Sequence, residues 1–182
     1  DYIGFHTYDD MRHFLSSCHR LAGYSYERNQ ILVKNRLVEA DSLPMGIDYG
    51  KYLESATSQL AKAKEISYRD SLGSQELILS MDRLDYSKGI PGRLQAFDKF
   101  LEKYPEYQGR VSLFLIVVPS RDQVASYKAL KEKVEFLVGH VNGKYGTINY
   151  VPVHFYYRSF PLDDLSAFYR MCKIAMITPK RD

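Results

Sequence analysis

Val111-Ser-Leu-Phe-Leu-Ile-Val-Val118 narrows the folds open to this chain more than any other stretch. Every residue but Ser112 is apolar, and there is no polar alternation. A strand with one wet face alternates, whereas a strand covered on both faces reads as a continuous apolar run. The stretch therefore predicts a central strand of a parallel sheet, closed by Pro119-Ser120-Arg121-Asp122. Both faces of such a strand need helices, and the flanking sequence supplies them. Leu94, Phe97, Leu101 and Tyr104 recur at helical spacing in Pro91–Tyr104, which Pro105 ends. Val124, Tyr127, Leu130, Val134 and Leu137 mark a second helix, with Gly139–Gly146 read as loop. Leu165, Phe168, Tyr169 and Cys172 mark a third, opened by Pro161 at its first turn and by Asp163 and Asp164 near its positive end. Strands are expected at Leu77–Ser80, Val151–Tyr157 and Ile174–Thr178. The class is therefore α/β, with a Rossmann-like, doubly wound parallel sheet.

The part before this alternation is built differently. Tyr2–Thr7 reads as a strand, and Thr7 with Asp10 as a capping box. Met11, Phe14, Leu15, Cys18 and Leu21 follow at helical spacing, and Gly23 is the stop. Ile31–Val33 and Leu37–Ala40 read as a strand pair ended by the turn-rich Leu43–Asp48. Tyr52, Leu53, Ala56, Leu60, Ala63 and Ile66 predict one or two helices in Tyr49–Tyr68. The polar break Asp70-Ser71-Leu72-Gly73-Ser74 is the expected boundary, giving parts 1–72 and 73–182. The sequence opens within a strand and stops within a loop, so a fragment of a longer protein is expected.

The apolar run Leu77–Leu79 leads into Ser80-Met-Asp-Arg83-Leu-Asp85-Tyr-Ser87-Lys88-Gly89-Ile-Pro91. A strand-to-helix loop with two cations and a glycine suits phosphate. The helix start offers free backbone N–H groups and a partial positive charge, and Arg83 and Lys88 add full ones. The spacing is neither a Walker loop nor a G-x-G-x-x-G fingerprint. Arg83, Lys88, Arg121 and Arg181 each follow a strand's apolar run. Parallel sheets bind ligands outside the carboxyl ends of their strands, so these cations are expected to converge on a polyanion such as a nucleotide or sugar phosphate. Asp82 and Asp85 flank Arg83 and read as pairing or loop-capping carboxylates, and His6 as a hydrogen-bonded loop histidine.

Composition sets limits. The 182 residues are 45% hydrophobic and 26% charged, as in ordinary globular proteins, and the net charge of +3 is too small to argue for nucleic acid or a membrane. Cys18 and Cys172 lie in apolar helical patterns without metal-ligand neighbours, as reduced buried thiols would. No nucleophilic triad or carboxylate pair is evident.

Five segments together resemble the trehalose-6-phosphate synthase family, glycosyltransferase family 20. They are Ile3-Gly-Phe-His-Thr7, Pro44-Met-Gly-Ile-Asp48, Arg83-Leu-Asp-Tyr-Ser-Lys88-Gly89, Asn142-Gly-Lys-Tyr-Gly146 and Thr178-Pro-Lys-Arg-Asp182. The resemblance implies a GT-B architecture of two Rossmann-like domains. It makes 1–72 the end of the N-terminal, acceptor-side domain and 73–182 the start of the C-terminal, nucleotide-sugar domain. It implies a retaining transfer of glucose from UDP-glucose to glucose 6-phosphate, giving trehalose 6-phosphate and UDP, with no metal or other cofactor. Arg83 and Lys88 would be catalytic by gripping the diphosphate and neutralising the leaving group. Phe160 and Leu165 would hold the uracil, Asp182 the donor sugar, and Arg121 the glucose 6-phosphate. The 182 residues carry half of such a site and are expected to be inactive alone. A cytoplasmic protein without nucleic-acid or membrane partners is implied. Self-association, an accompanying trehalose-6-phosphate phosphatase, and the donor base among uracil, guanine and adenine stay open. So do two alternatives: a regulatory homologue that binds sugar phosphates or nucleotides without catalysis, and another GT-B transferase.

Overall fold

A computed structural model describes residues 1–121 and 123–179. Contacts group the chain into two compact units, 1–49 and 50–182.

The first unit holds β1 (Tyr2–Phe5), α1 (Tyr8–Ala22), β2 (Tyr26–Glu27), β3 (Gln30–Val33) and β4 (Arg36–Ser42). Its sheet has the order β1-β4-β3-β2 and is mixed rather than wholly parallel. β1 runs parallel to β4, with Tyr2 opposite Glu39 and Phe5 opposite Ser42, whereas β3 and β4 form an antiparallel hairpin. Helix α1 buries Met11 and Leu15 against Ile31 and Ala40. Its start is half of the expected capping box. The Asp10 N–H donates to Thr7 Oγ1 at 3.2 Å, but the Asp10 carboxylate accepts from the Thr7 hydroxyl at 2.8 Å instead of reaching the backbone. Gly23 ends the helix at φ 70°.

The second unit begins with α2 (Tyr49–Thr57, from its second residue) and α3 (Gln59–Leu72). Asp70, Ser71 and Leu72, read from sequence as a break, are the last residues of α3. The unit continues with β5 (Glu76–Arg83), α4 (Ile90–Lys103), β6 (Val111–Val118), α5 (Ala125–Tyr145), β7 (Val153–Tyr156), α6 (Leu162–Met171) and β8 (Ile174–Ala175). All four strands are parallel, in the order β7-β6-β5-β8. β6 is central, as its composition predicts, and Phe114 to Val117 are buried on both faces.

Two apolar layers cover the sheet. On one side Leu94, Phe97 and Leu101 of α4 and Val134, Val138 and Val141 of α5 meet Leu113, Leu115 and Val117. On the other, Phe168 and Met171 of α6 meet Leu77, Leu79, Phe114 and Ile116, with Tyr68 and Leu72 of α3 at the margin. Three sequence expectations are corrected here. β5 runs on to Arg83, because each of its residues pairs with β6 from Glu76 opposite Val111 to Arg83 opposite Val118. Helix α5 continues to Tyr145 through the supposed loop, because buried Val138 and Val141 extend its apolar face and override the cost of Gly139 and Gly143. β8 is only two residues long, opposite Ile78 and Leu79.

Candidate functional site

The strand order places the site. From β5 the chain crosses outward to β6 and β7, and then returns to lay β8 on the other side of β5. The order therefore reverses between β5 and β8, and at such a point the connections diverge and leave a crevice at the carboxyl ends of the strands. The cationic loop after β5 and the segment after β8 both emerge there.

That loop is tightly specified. Leu84, at 1% exposure, plugs it into the core, and its N–H donates to the Val118 carbonyl at 2.8 Å. Asp85 Oδ1 accepts from the Ser87 N–H at 2.9 Å and so caps the single 3₁₀ turn Tyr86–Lys88. These hydrogen bonds from Ser87 hold the Asp85 carboxyl below its usual range. Gly89 follows at φ +69°, where a side chain is strained, and a Cβ on it would lie 2.5 Å from the Thr178 carbonyl oxygen. Loop and post-β8 segment thus touch backbone to backbone. Helix α4 starts at once, with Pro91 in its first turn. A cavity of about 500 Å³ opens beside it, lined by Tyr86, Gly89, Gly92, Arg93, Met176 and Thr178 among others.

Arg83 and Lys88 sit differently. Arg83, the last residue of β5, is exposed, and among the described residues its guanidinium has no hydrogen bond or ion pair. Lys88 closes the 3₁₀ turn and is buried to 8% exposure.

A third cation, which the sequence reading passed over, fixes both flanks. Arg93 on α4 is 2% exposed. Its Nη2 donates to Asp82 Oδ2 at 2.7 Å and to the Lys88 carbonyl at 3.2 Å. Its Nε donates to Thr178 Oγ1 at 3.0 Å, and its Nη1 donates to Ser80 Oγ. One guanidinium therefore binds β5, the cationic loop and the post-β8 segment. The signal was present: Ile90, Arg93, Leu94 and Phe97 share the buried helical spacing, so Arg93 occupies a core position. Asp82 and Asp85 are a pairing and a capping carboxylate, as their flanking positions suggested.

Arg121 lies just past β6, exposed, with its backbone at φ +53°. Its Nη1 donates to the Tyr127 hydroxyl at 3.0 Å, and that hydroxyl donates to Asp85 Oδ2 at 3.2 Å. The structure thus links Arg121 to the loop that carries Lys88. Tyr127 was read only as a helix-core residue. Its ring is indeed buried, but the hydroxyl reaches the sheet edge.

Phe160 follows β7, half-buried, with the Arg158 guanidinium 4.4 Å above its ring and the Tyr156 and Phe168 rings edge-on. Leu165 packs on the same apolar cluster from the first turns of α6. Both therefore serve the core. Arg181 and Asp182 lie outside the described residues. In the first unit, His6 Nδ1 accepts from the Met45 N–H at 3.1 Å. Among the described residues no group of three or more His, Cys, Asp or Glu side chains could hold a metal ion. Burial pushes the Cys172 thiol up to about 12, so it is unreactive at neutral pH.

The arrangement can hold a polyanion at the β5/β8 crevice and a second anion near Arg121. The family model "Glycosyltransferase family 20" matches residues 1–182. A Dictyostelium discoideum alpha,alpha-trehalose-phosphate synthase (UDP-forming) is 42% identical over 180 residues, 99% of this chain and 25% of the relative. A solved E. coli trehalose-6-phosphate protein bound with UDP-2-fluoro glucose superposes with a TM-score of 0.91 at 29% identity, over 100% of this chain and 40% of that one. The N-terminal domain of a Candida albicans trehalose-6-phosphate phosphatase gives 0.91 at 29% identity, over 100% and 39%. The chain thus spans between a quarter and two fifths of the length of these relatives.

Proposed function

The chain belongs to glycosyltransferase family 20 over its whole length, and from that premise we propose that it serves in making trehalose 6-phosphate, transferring glucose from UDP-glucose to glucose 6-phosphate with retention. The observation that carries this reading is the cationic loop at the β5/β8 crossover, held by buried Arg93, with exposed Arg83 at its start and the largely buried Lys88 at its 3₁₀ turn. The Dictyostelium relative is named as UDP-forming, which favours uracil as the donor base.

Mechanistically, Arg83 and Lys88 grip the diphosphate. As the glycosidic bond breaks, negative charge builds on the leaving phosphate, and two fixed cations lower its energy as a metal ion does elsewhere. The same phosphate takes the proton of the attacking acceptor hydroxyl on the front face, so no protein nucleophile is required. Arg121 binds the phosphate of glucose 6-phosphate. Phe160 and Leu165 border the base, and Asp182 the donor sugar.

By resemblance, 1–72 ends the acceptor-side domain and 73–182 begins the nucleotide-sugar domain. Since contacts divide the chain between Tyr49 and Gly50, α2 and α3 act as a connection packed on the donor side. A cytoplasmic location suits free Cys18 and Cys172, and no helix among the described residues is long and apolar enough to cross a membrane.

A second reading has one observation behind it: the phosphatase's N-terminal domain shares this fold. On that reading the domain binds sugar phosphates or nucleotides without transfer. The full-length protein decides between them. UDP release should require both substrates and fall at least a hundredfold in Arg83→Ala, given the energy of a charged phosphate contact. UDP binding without release would support the regulatory reading instead.

A further inference from the structure

We propose that Tyr127 is a positioning residue for the transfer, its hydroxyl setting the acceptor-side cation against the donor-side loop. It rests on the assignment of Arg121 to the acceptor phosphate.

The argument begins with hydrogen-bond inventory. Arg121 can only donate, and an ionised Asp85 can only accept. The hydroxyl between them has one proton and free lone pairs, so its orientation is forced. Its proton goes to Asp85 Oδ2 at 3.2 Å, and its lone pair faces Arg121 Nη1 at 3.0 Å. The ring that carries it cannot wander. It is 4% exposed, with Tyr86 edge-on at 6.2 Å between centroids, and the Arg121 guanidinium lies 5.6 Å from its centre.

Each partner is constrained on its far side. Asp85 is held by the Ser87 N–H at the turn that carries Lys88. Arg121 adopts φ +53°, a backbone region that strains a residue with a Cβ. Its carbonyl accepts from the Val124 N–H at 2.9 Å, within the turn that starts α5 and delivers Tyr127. Among the described residues, the Tyr127 hydroxyl is the one hydrogen-bond acceptor for the Arg121 guanidinium. Loss of that oxygen leaves the loop capped and the ring packed, but frees the long Arg121 side chain to sample rotamers that do not face the acceptor.

The experiment uses the full-length protein with Tyr127→Phe, Arg121→Ala and the double variant. Steady-state UDP release is measured against each substrate, and thermal unfolding alongside. Tyr127→Phe should raise KM for glucose 6-phosphate about tenfold, the scale of one hydrogen bond to a charged group. KM for UDP-glucose should change less than about twofold, the melting temperature should hold, and the double variant should be no worse than Arg121→Ala alone. An unchanged acceptor KM in Tyr127→Phe, with Arg121→Ala still crippled for acceptor, overturns the role of Tyr127 and leaves Arg121 assigned. An acceptor KM indifferent to Arg121→Ala overturns the assignment on which the proposal rests. Equal rises in both KM values with a lowered melting temperature also overturn it, since they mark a purely structural tyrosine.

Discussion

Arg93 places a full positive charge in the interior, where an unpaired ion is costly to hold. It is sustained by a carboxylate, two hydroxyls and a carbonyl from three chain segments. Truncation leaves half-buried Asp82 without its counter-charge and frees both the Lys88 carbonyl and Thr178. Arg93→Ala is therefore expected to lower unfolding free energy by about 3–5 kcal/mol, the usual effect of breaking a buried ion pair, as urea titration would measure. Arg83 is the contrasting case. It is exposed and has no hydrogen bond or ion pair among the described residues, so Arg83→Ala should leave the urea midpoint almost unmoved while removing activity. On the proposed function, stability and activity would thus be divided between two arginines ten positions apart in sequence, Arg93 inward and Arg83 outward.

At the scale of elements, α3 docks on α6 through polar groups as well as apolar ones. Asp164 Oδ1 accepts from Lys64 Nζ at 2.6 Å and from the Tyr68 hydroxyl at 2.7 Å, and Arg170 Nε donates to Glu65 Oε2 at 2.7 Å. Burial pushes the Asp164 carboxyl up, but the hydrogen bonds from Lys64 and Tyr68 outweigh it and hold the group below its ordinary value. The Tyr68 hydroxyl is pushed up to about 12 by its bond to that carboxylate. The sign follows from linkage. A lowered folded-state value contributes stability that is complete above the unfolded carboxylate range, near pH 4, and is lost as pH falls through the folded value. Asp164→Asn should therefore cost about 2 kcal/mol near neutrality and flatten the acid limb of the stability curve. Denaturant titrations at pH 7 and pH 3 check this. An equal loss at both pH values would show that the carboxylate's charge has no part in the dock.

For the whole molecule, the division between Tyr49 and Gly50 has a direct consequence. Leu43–Asp48 contains no helix or strand, and Met45 and Ile47 are 86% and 69% exposed. Asp70–Leu72 is the last turn of a hydrogen-bonded helix. Proteolysis needs a segment that can unfold locally, so limited digestion should cut within 43–48 before 70–74. Mass spectrometry of the first fragments checks this, and early cleavage at 70–74 would return the division to the polar break.

The sequence by itself determined the parallel sheet, the helices around it and the loop that bears Arg83 and Lys88. Those signals are local: an apolar run with no wet face, helical spacing, and a glycine with a proline at a helix start. It also carried the family, since five short segments keep the order and chemistry of one kind of site. Only the tertiary structure decided what depends on distant partners. Arg83 joined β5 because β6 offered it a neighbour in register. α5 ran through two glycines because the core held its valines. Asp70–Leu72 became helix despite their polar composition. The roles of Arg93 and Tyr127 were illegible for the same reason. Ser80, Asp82 and Lys88 are near Arg93 in sequence but reach its guanidinium only once α4 lies along the sheet. Thr178, like the Asp85 end of the Tyr127 bridge, comes from another part of the chain and arrives only when the strand order closes the crevice.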